Sequence, residues 1–584
     1  MAYSGGPLIV AAIDFGTTYS GYAFSTYNDF ERDPLNISTC SWPNAYGQSP
    51  KNSTSVLFDD EGNFHSFGYP AEKKYAQLAL VGNHKKWKFF KRFKMELYRT
   101  QKLNRHLTIT DDNGNKMSAM DVIAAVIRYL KEHAKKTCFA AVTNLEESDI
   151  LWVLTVPAIW SDDAKQFMRE AAKKAGIQRE RLLIVLESEV ASIYEKQNAL
   201  QKSGDGSLQR LPPGTRYLVL DAGGGTVDIS IQEVQENDKL KSISCACGGD
   251  WGGTKVDEAF FGFLAEIIGK PALQDFISCH NLEFLELSQD LEMKKRGVEY
   301  KESDSSVFFT IPYSMNECCK KFNDGRTIAN VIESSDEFNT RVSVVAGNKL
   351  KVDDALAKSW FRGSVTRITE QLEEIIRNPN MKGIKAILMV GGFSESELLK
   401  EAIVNITQVK ENQIDIIRPK DASLAVLKGA VMYGHKPIIQ SRILRYTYGV
   451  DTTVLYKEGV HKRSKQYKTK SGEVRCKDIF DIHAVKGNTV VIGEPQKKMT
   501  YEISEADSTG MDFPVFRSTE SDPLYVTDPS CERIGTLSVE MPDISRGLNR
   551  SVELKITFWD TELKVTAIDP ESKESFEAAI DCLE

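Results

Sequence analysis

The chain has ten cysteines but no C-x-x-C pair among its 584 residues. Cys245-Ala246-Cys247 and Cys318-Cys319 are too few and too isolated for a zinc site. They read as free thiols in a reducing cytosol, with the nucleus also open. Sequons such as those at Asn52 and Asn405 then carry no meaning. No apolar run approaches bilayer length, so no membrane span is expected. The apolar stretch ending at Ile13 is short and broken by Asp14, which argues against a signal peptide. Charge of one sign is also missing. The net value is −8 with 41% apolar residues, and nothing in that balance demands nucleic acid or a membrane surface. Also absent is G-x-x-x-x-G-K-[ST], so no P-loop holds a phosphate. Length is ample for several domains with large cores.

What is present is glycine set between acids. Leu218 to Asp221 is an apolar run ending on a carboxylate; Ala222, Gly223, Gly224, Gly225 and Thr226 follow. Asp228 then opens an alternating strand to Ile231. This reads as a β-hairpin whose glycine tip leaves backbone N–H groups bare for phosphate oxygens. Asp221 and Asp228 would repel a phosphate by about 4 kcal/mol at roughly 4 Å and an effective dielectric of about 20. A divalent cation reverses that sign, and Mg²⁺ favours carboxylates, waters and phosphate oxygens. A second copy of the pattern lies about 200 positions earlier, where Leu8–Ile13 leads to Asp14, Phe15, Gly16, Thr17, Thr18 and Tyr19 and resumes as a strand to Phe24. Two such hairpins facing across a cleft could grip a triphosphate from both sides.

The pair resembles the ATPase superfamily of actin, sugar kinases and 70 kDa heat-shock proteins. The other motifs narrow this to an atypical member of the heat shock 70 kDa family, similar to its heat shock 70 kDa protein 12 branch. The resemblance implies an α/β fold: a two-lobed actin-like ATPase of duplicated, ribonuclease H-like βββαβα units over residues 1–440. A smaller β-rich domain over 441–584 would follow, resembling a lidless, degenerate substrate-binding domain. It also implies ATP or ADP with Mg²⁺ in the cleft. Asp14, Asp221 and, through water, Asp228 would hold the metal. Gly16, Thr17, Thr18, Tyr19, Gly223, Gly224, Gly225 and Thr226 would cradle the phosphates.

The remaining motifs follow in chain order. Lys85 to Met95 interleaves bases with aromatics. Nucleic-acid binding is one reading, but a half-buried segment with solvated lysines is favoured and no nucleic-acid partner is expected. The resemblance places a γ-phosphate lysine here, at Lys91 or Lys94, with Lys94 preferred. Ser118 to Lys136 and the segment from Ser161 towards Gly176 read as capped helices. Leu182–Leu186 delivers Glu187, which by resemblance polarises the attacking water, although Ser188 stands where the family usually has proline. The Gly248–Asp257 turn puts Gly252 and Gly253 at a helix start suited to phosphate. Glu292, Lys295 and Arg296 resemble the helix that lies on adenosine. Ile384–Val390 reaches Gly391, Gly392 and Phe393, expected under the purine, with Ser394 and Glu397 at capping-box spacing. Glu395 and Ser396 replace the family's basic residue and proline. Ser303–Lys349 is unassigned.

From Ser441 the pattern turns to β. Tyr446–Asp451 resembles the first strand of a peptide-binding sandwich. Val552, Leu554, Ile556 and Phe558 alternate, turn at Trp559–Glu562, and are answered by Leu563, Val565 and Ala567. The usual leucine linker is replaced by Ser441-Arg442-Ile443-Leu444-Arg445, and no helical lid is expected in the stretch up to Glu584. Three functions compete: a weak ATPase of chaperone type coupled to an unidentified client protein, a nucleotide-binding scaffold or sensor, and a sugar or metabolite kinase. The terminal β segment speaks against the kinase.

Overall fold

The molecule is described by a computed structural model covering residues 7–44, 47–201, 212–236, 239–298, 306–470, 472–559, 561–580 and 582–583. Most of the polar Gln201–Gly214 loop, Asp560 and residues 303–305 lie outside them.

Two sheets repeat one strand plan. In the first, Ile9–Phe15 pairs antiparallel with Tyr19–Thr26 and parallel with Ile150–Val156, which pairs parallel with Leu182–Leu186. In the second, Arg216–Ala222 pairs antiparallel with Val227–Val234 and parallel with Ile384–Val390, which pairs parallel with Asp415–Ile417. Each first strand ends near a carboxylate, Asp14 or Asp221, at the mouth of its turn.

Ile9–Phe15 and Ile150–Val156 are buried along their whole length and apolar apart from Asp14 and Thr155, because both faces are covered. Alternate residues of Ile9–Phe15 point oppositely. Ile9, Ala11 and Ile13 meet the helices Ala119–Ala141 and Asp162–Lys174, while Val10 and Ala12 meet Glu187–Gln201 and Ala425–His435. Val219 joins that second cluster from the other sheet, so the two helices are packed between the sheets. Their backbones touch at Gly429, where a Cβ would sit 1.8 Å from the Val190 carbonyl oxygen. The helix starts fall where expected: Ser118 accepts from the Asp121 N–H and Ser161 from that of Ala164.

Ser394, in contrast, does not cap its helix. Its hydroxyl donates to the Val390 carbonyl at 2.6 Å within a 3₁₀ turn, Gly392–Glu395. Ser396 caps Glu397–Val404 instead, because that tight turn delays the helix. The unassigned region supplies two strands, Ser306–Thr310 and Val342–Val345, which flank Lys349–Asp353 in a three-stranded sheet, with the helices Tyr313–Phe322 and Ile328–Glu333 between them in the chain. Phe309, Met315 and Leu350 tie it to Phe260 and Trp360.

After Ser441 the chain forms a five-stranded and a four-stranded sheet sharing one core, with Val450, Val515 and Leu537 facing Leu554, Ile556 and Val565. Ser551–Trp559 and Glu562–Ile568 pair as the alternation suggested, Ile556 opposite Val565. Between these parts, Ile439–Ile443 extends the second sheet and pairs with Thr489–Val491. Arg442 there grips Glu189 with two nitrogens, Nε at 2.9 Å and Nη2 at 2.6 Å. Both side chains are largely buried. Arg442→Ala would strand the Glu189 carboxylate and is expected to cost about 3–5 kcal/mol. Urea denaturation measures this; a loss below about 1 kcal/mol, typical of exposed pairs, would contradict it.

Candidate functional site

Both acid-ended hairpins open onto one cleft of about 370 Å³. Asp14, Gly16, Thr17, Thr18 and Tyr19 line it from the first, and Asp221 with Gly223 to Thr226 from the second. The turns touch: a Cβ on Gly224 would lie 2.0 Å from Thr18 Oγ1. That hydroxyl is buried and has no hydrogen-bond partner among the described residues, and burying such a group unsatisfied is costly. An unmet donor beside bare glycine backbone fits a phosphate oxygen.

The glycine tip is braced from behind. The N–H groups of Gly252, Gly253 and Thr254 donate to the carbonyls of Gly225, Gly223 and Gly224 at 3.1, 3.1 and 2.8 Å. Gly253 reaches the cleft; Gly252 does not line it but supports it. Of the two candidate lysines, Lys94 is in the cleft, 2% exposed and 2.9 Å from Glu187, with its ammonium 5.0 Å from the Trp160 ring centre. Lys91 lies elsewhere, paired with Glu72 at 3.2 Å.

At the other end, Glu292, Lys295 and Arg296 enter from one helix, joined by Gly391, Gly392 and Phe393. Lys295 bridges Glu292 at 2.5 Å and Asp257 at 2.8 Å. Arg296 bonds Glu292 at 3.0 Å and lies 3.7 Å from Glu395. The Phe361 and Phe393 rings stack with centres 6.4 Å apart. Asp228 stands behind the wall rather than on it, accepting from the Ile159 N–H at 2.8 Å.

Lys51 was not anticipated. Its ammonium contacts Asp14 Oδ2 at 2.5 Å, while Thr155 donates to Asp14 Oδ1 at 2.9 Å. No motif marks a single lysine in a Pro/Asn/Ser-rich stretch. It arrives because Asn52 and Ser53 pair with Ser20 and Tyr19.

Charge in the cleft is unbalanced. Burial opposes ionisation of Asp14, but Lys51, Lys94 and Thr155 outweigh it and hold this carboxyl below its usual range. Burial raises Glu187 despite Lys94. Burial, then Glu187, Asp228 and the Asp14 charge push Asp221 well up. Burial, then Glu187, lifts Asp228 to about 7. Such an excess of carboxylate suits a hydrated cation; among the described residues no three acidic, His or Cys side chains converge to chelate one directly.

A carboxyl at about 7 when folded and about 3.8 when unfolded makes the folded state bind the extra proton. The contribution of Asp228 to stability therefore falls as pH rises from about 4 to 7 and then levels. Asp228→Asn keeps an oxygen for Ile159 but does not titrate. Its melting temperature, relative to the parent in metal-free buffer, is expected to be more favourable at pH 8 than at pH 5. A pH-independent difference would contradict this assignment.

Comparison with known proteins agrees with the geometry. Residues 79–313 match the family model described as Hsp70 protein. The chain is 31% identical to heat shock 70 kDa protein 12A of Homo sapiens, over 99% of this chain and 92% of that protein. It is 30% identical to heat shock 70 kDa protein 12B of Homo sapiens, over 98% and 91%. Chaperone protein DnaK of Prochlorococcus marinus is 24% identical over 78% of this chain and 64% of its own. The chain therefore belongs to the heat shock 70 family, in the branch of heat shock 70 kDa proteins 12A and 12B.

Proposed function

We propose that this cleft binds ATP and ADP, and that the chain hydrolyses ATP slowly and couples nucleotide state to a protein partner. The observation that carries the reading is the contact of the two glycine turns around the unpartnered Thr18 hydroxyl. Thr17, Thr18 and the amides of Gly224, Gly225 and Thr226 would receive the β- and γ-phosphates. Lys94 would balance charge on the γ-phosphate, and Glu187 would take a hydrogen bond from the attacking water. Mg²⁺, bound with the phosphates and held through water by Asp221 and Asp228, would neutralise charge as the phosphoryl group departs. Glu292, Lys295 and Arg296 would face the adenosine, with Gly391 and Gly392 beneath it.

In this reading residues 1–440 form the two-lobed ATPase and 441–584 the partner-binding part, joined where Ile439–Ile443 crosses between them. Among the described residues no cysteine is in a disulfide, which suits the cytoplasm. A scaffold or sensor with little turnover is the second reading, favoured by the commitment of Glu187 to Lys94.

A single-turnover experiment with protein in excess over ATP separates them. Conversion of bound ATP to ADP is the expected result. ATP held unchanged supports the scaffold, and absence of binding overturns both.

A further inference from the structure

Lys51 is built into the cleft rather than lying across it by chance. Gly21 stands opposite Asp14 in the hairpin register, and the lysine stem passes over it: a Cβ on Gly21 would come within 3.2 Å of Lys51 Cγ and 2.8 Å of the Pro50 carbonyl oxygen. The Ser49 hydroxyl donates to the Lys51 carbonyl at 2.7 Å. Asn52 secures the next residues, its Oδ1 accepting from the N–H groups of Ser53 and Tyr69 at 3.0 and 2.9 Å. The ammonium thus arrives at Asp14 at 2.5 Å from a braced segment, with both side chains mostly buried. Asp221 and Glu187 are its next negative neighbours.

We propose that Lys51 is a resident counter-ion, occupying at Asp14 the place a metal ion would otherwise take and making nucleotide binding largely independent of added metal. The inference rests on the nucleotide reading of the cleft. Four carboxylates, Asp14, Glu187, Asp221 and Asp228, share the region with two ammonium groups, Lys51 and Lys94. Because Thr155 takes the second oxygen of Asp14, a cation reaching that carboxylate must displace Lys51 or bind at longer range. With the lysine charge removed, a polyphosphate would meet Asp14, Glu187 and Asp221 with Lys94 as the ammonium beside them, and a metal would restore the balance. Lys51 is therefore a positioning and charge-balancing residue; the water-activating role stays with Glu187.

The test compares ADP affinity by isothermal titration in Mg²⁺ and in EDTA for the full chain, K51M and K51R. The parent and K51R are expected to bind within about threefold in the two buffers, whereas K51M weakens at least about tenfold in EDTA and recovers in Mg²⁺. Equal Mg²⁺ dependence in the parent and K51M overturns the proposal. A second arm needs no nucleotide: Mn²⁺ binding to the ligand-free proteins, followed by electron paramagnetic resonance. K51M should take up Mn²⁺ at least about tenfold more tightly than the parent, because Asp14 is freed. Identical Mn²⁺ binding sinks the counter-ion role. Loss of ADP binding in every protein sinks the nucleotide reading instead, and the Mn²⁺ arm still decides Lys51. Near-parental circular dichroism of K51M, and parental behaviour of K51R, separate a charge effect from misfolding.

Discussion

Glu187→Gln is expected to slow ATP turnover by about 10²- to 10⁴-fold, the usual worth of a positioned general base. ADP affinity should stay within a few-fold. The side chain stands where Leu182–Leu186 passes directly into the helix Glu187–Gln201, so its backbone is held by a buried strand on one side and a packed helix on the other. Burial raises its carboxyl above the ordinary glutamate value, which makes it a better proton acceptor than a surface acid. Glutamine keeps the shape but cannot take a proton. The exchange also leaves Lys94, 2% exposed, without its counter-charge, so a lowered melting temperature is expected alongside. Single-turnover phosphate release reports the chemical step, and titration reports binding. Unchanged turnover in Glu187→Gln would remove this residue from the chemistry.

Gly391→Ala is expected to lower ADP affinity by about two orders of magnitude, in line with about 3 kcal/mol of strain. Gly391 has a φ of +85°, a conformation that side chains rarely adopt. A Cβ there would lie 2.4 Å from Asp221 Oδ1 and 2.5 Å from the Ala222 carbonyl oxygen. The added methyl therefore displaces the carboxylate end of the central hairpin itself. Gly392 is a matched control, because a Cβ on it meets no atom within 4 Å. Gly392→Ala should fold like the parent, and any loss of affinity there reports contact with the ligand rather than damage to the wall. Parental ADP affinity in Gly391→Ala would contradict the placement of the site.

Much of this site was legible because its chemistry is local. A strand ending on an acid, a glycine turn and a returning strand leave a pattern within about a dozen residues, and both copies line one cleft. The strand-to-helix junction that carries Glu187 was local too, whereas the role expected of that acid came only from the family resemblance. Lys51 was not, since its role comes from an edge pairing of Asn52 and Ser53 with the first hairpin and from the space over Gly21. The register of the Lys85–Met95 segment also stayed open until tertiary contacts separated Lys94 from Lys91. At Ser394 the pattern misled: capping-box spacing was present, but a 3₁₀ turn moved the helix start to Ser396. The sheet of Ser306–Thr310, Val342–Val345 and Lys349–Asp353 escaped notice because its strands are short and two helices separate the first from the other two. Thr489–Val491 shows the same limit, for nothing local indicates that it pairs with Ile439–Ile443.

Amide hydrogen exchange of the full chain with and without saturating ADP tests the central claim most directly. The account predicts slowed exchange in four separated segments at once: Asp14–Tyr19, Gly223–Thr226, Gly252–Thr254 and Gly391–Phe393. Unchanged exchange in all four, at an ADP concentration shown by titration to saturate the protein, would place the nucleotide elsewhere and contradict the account.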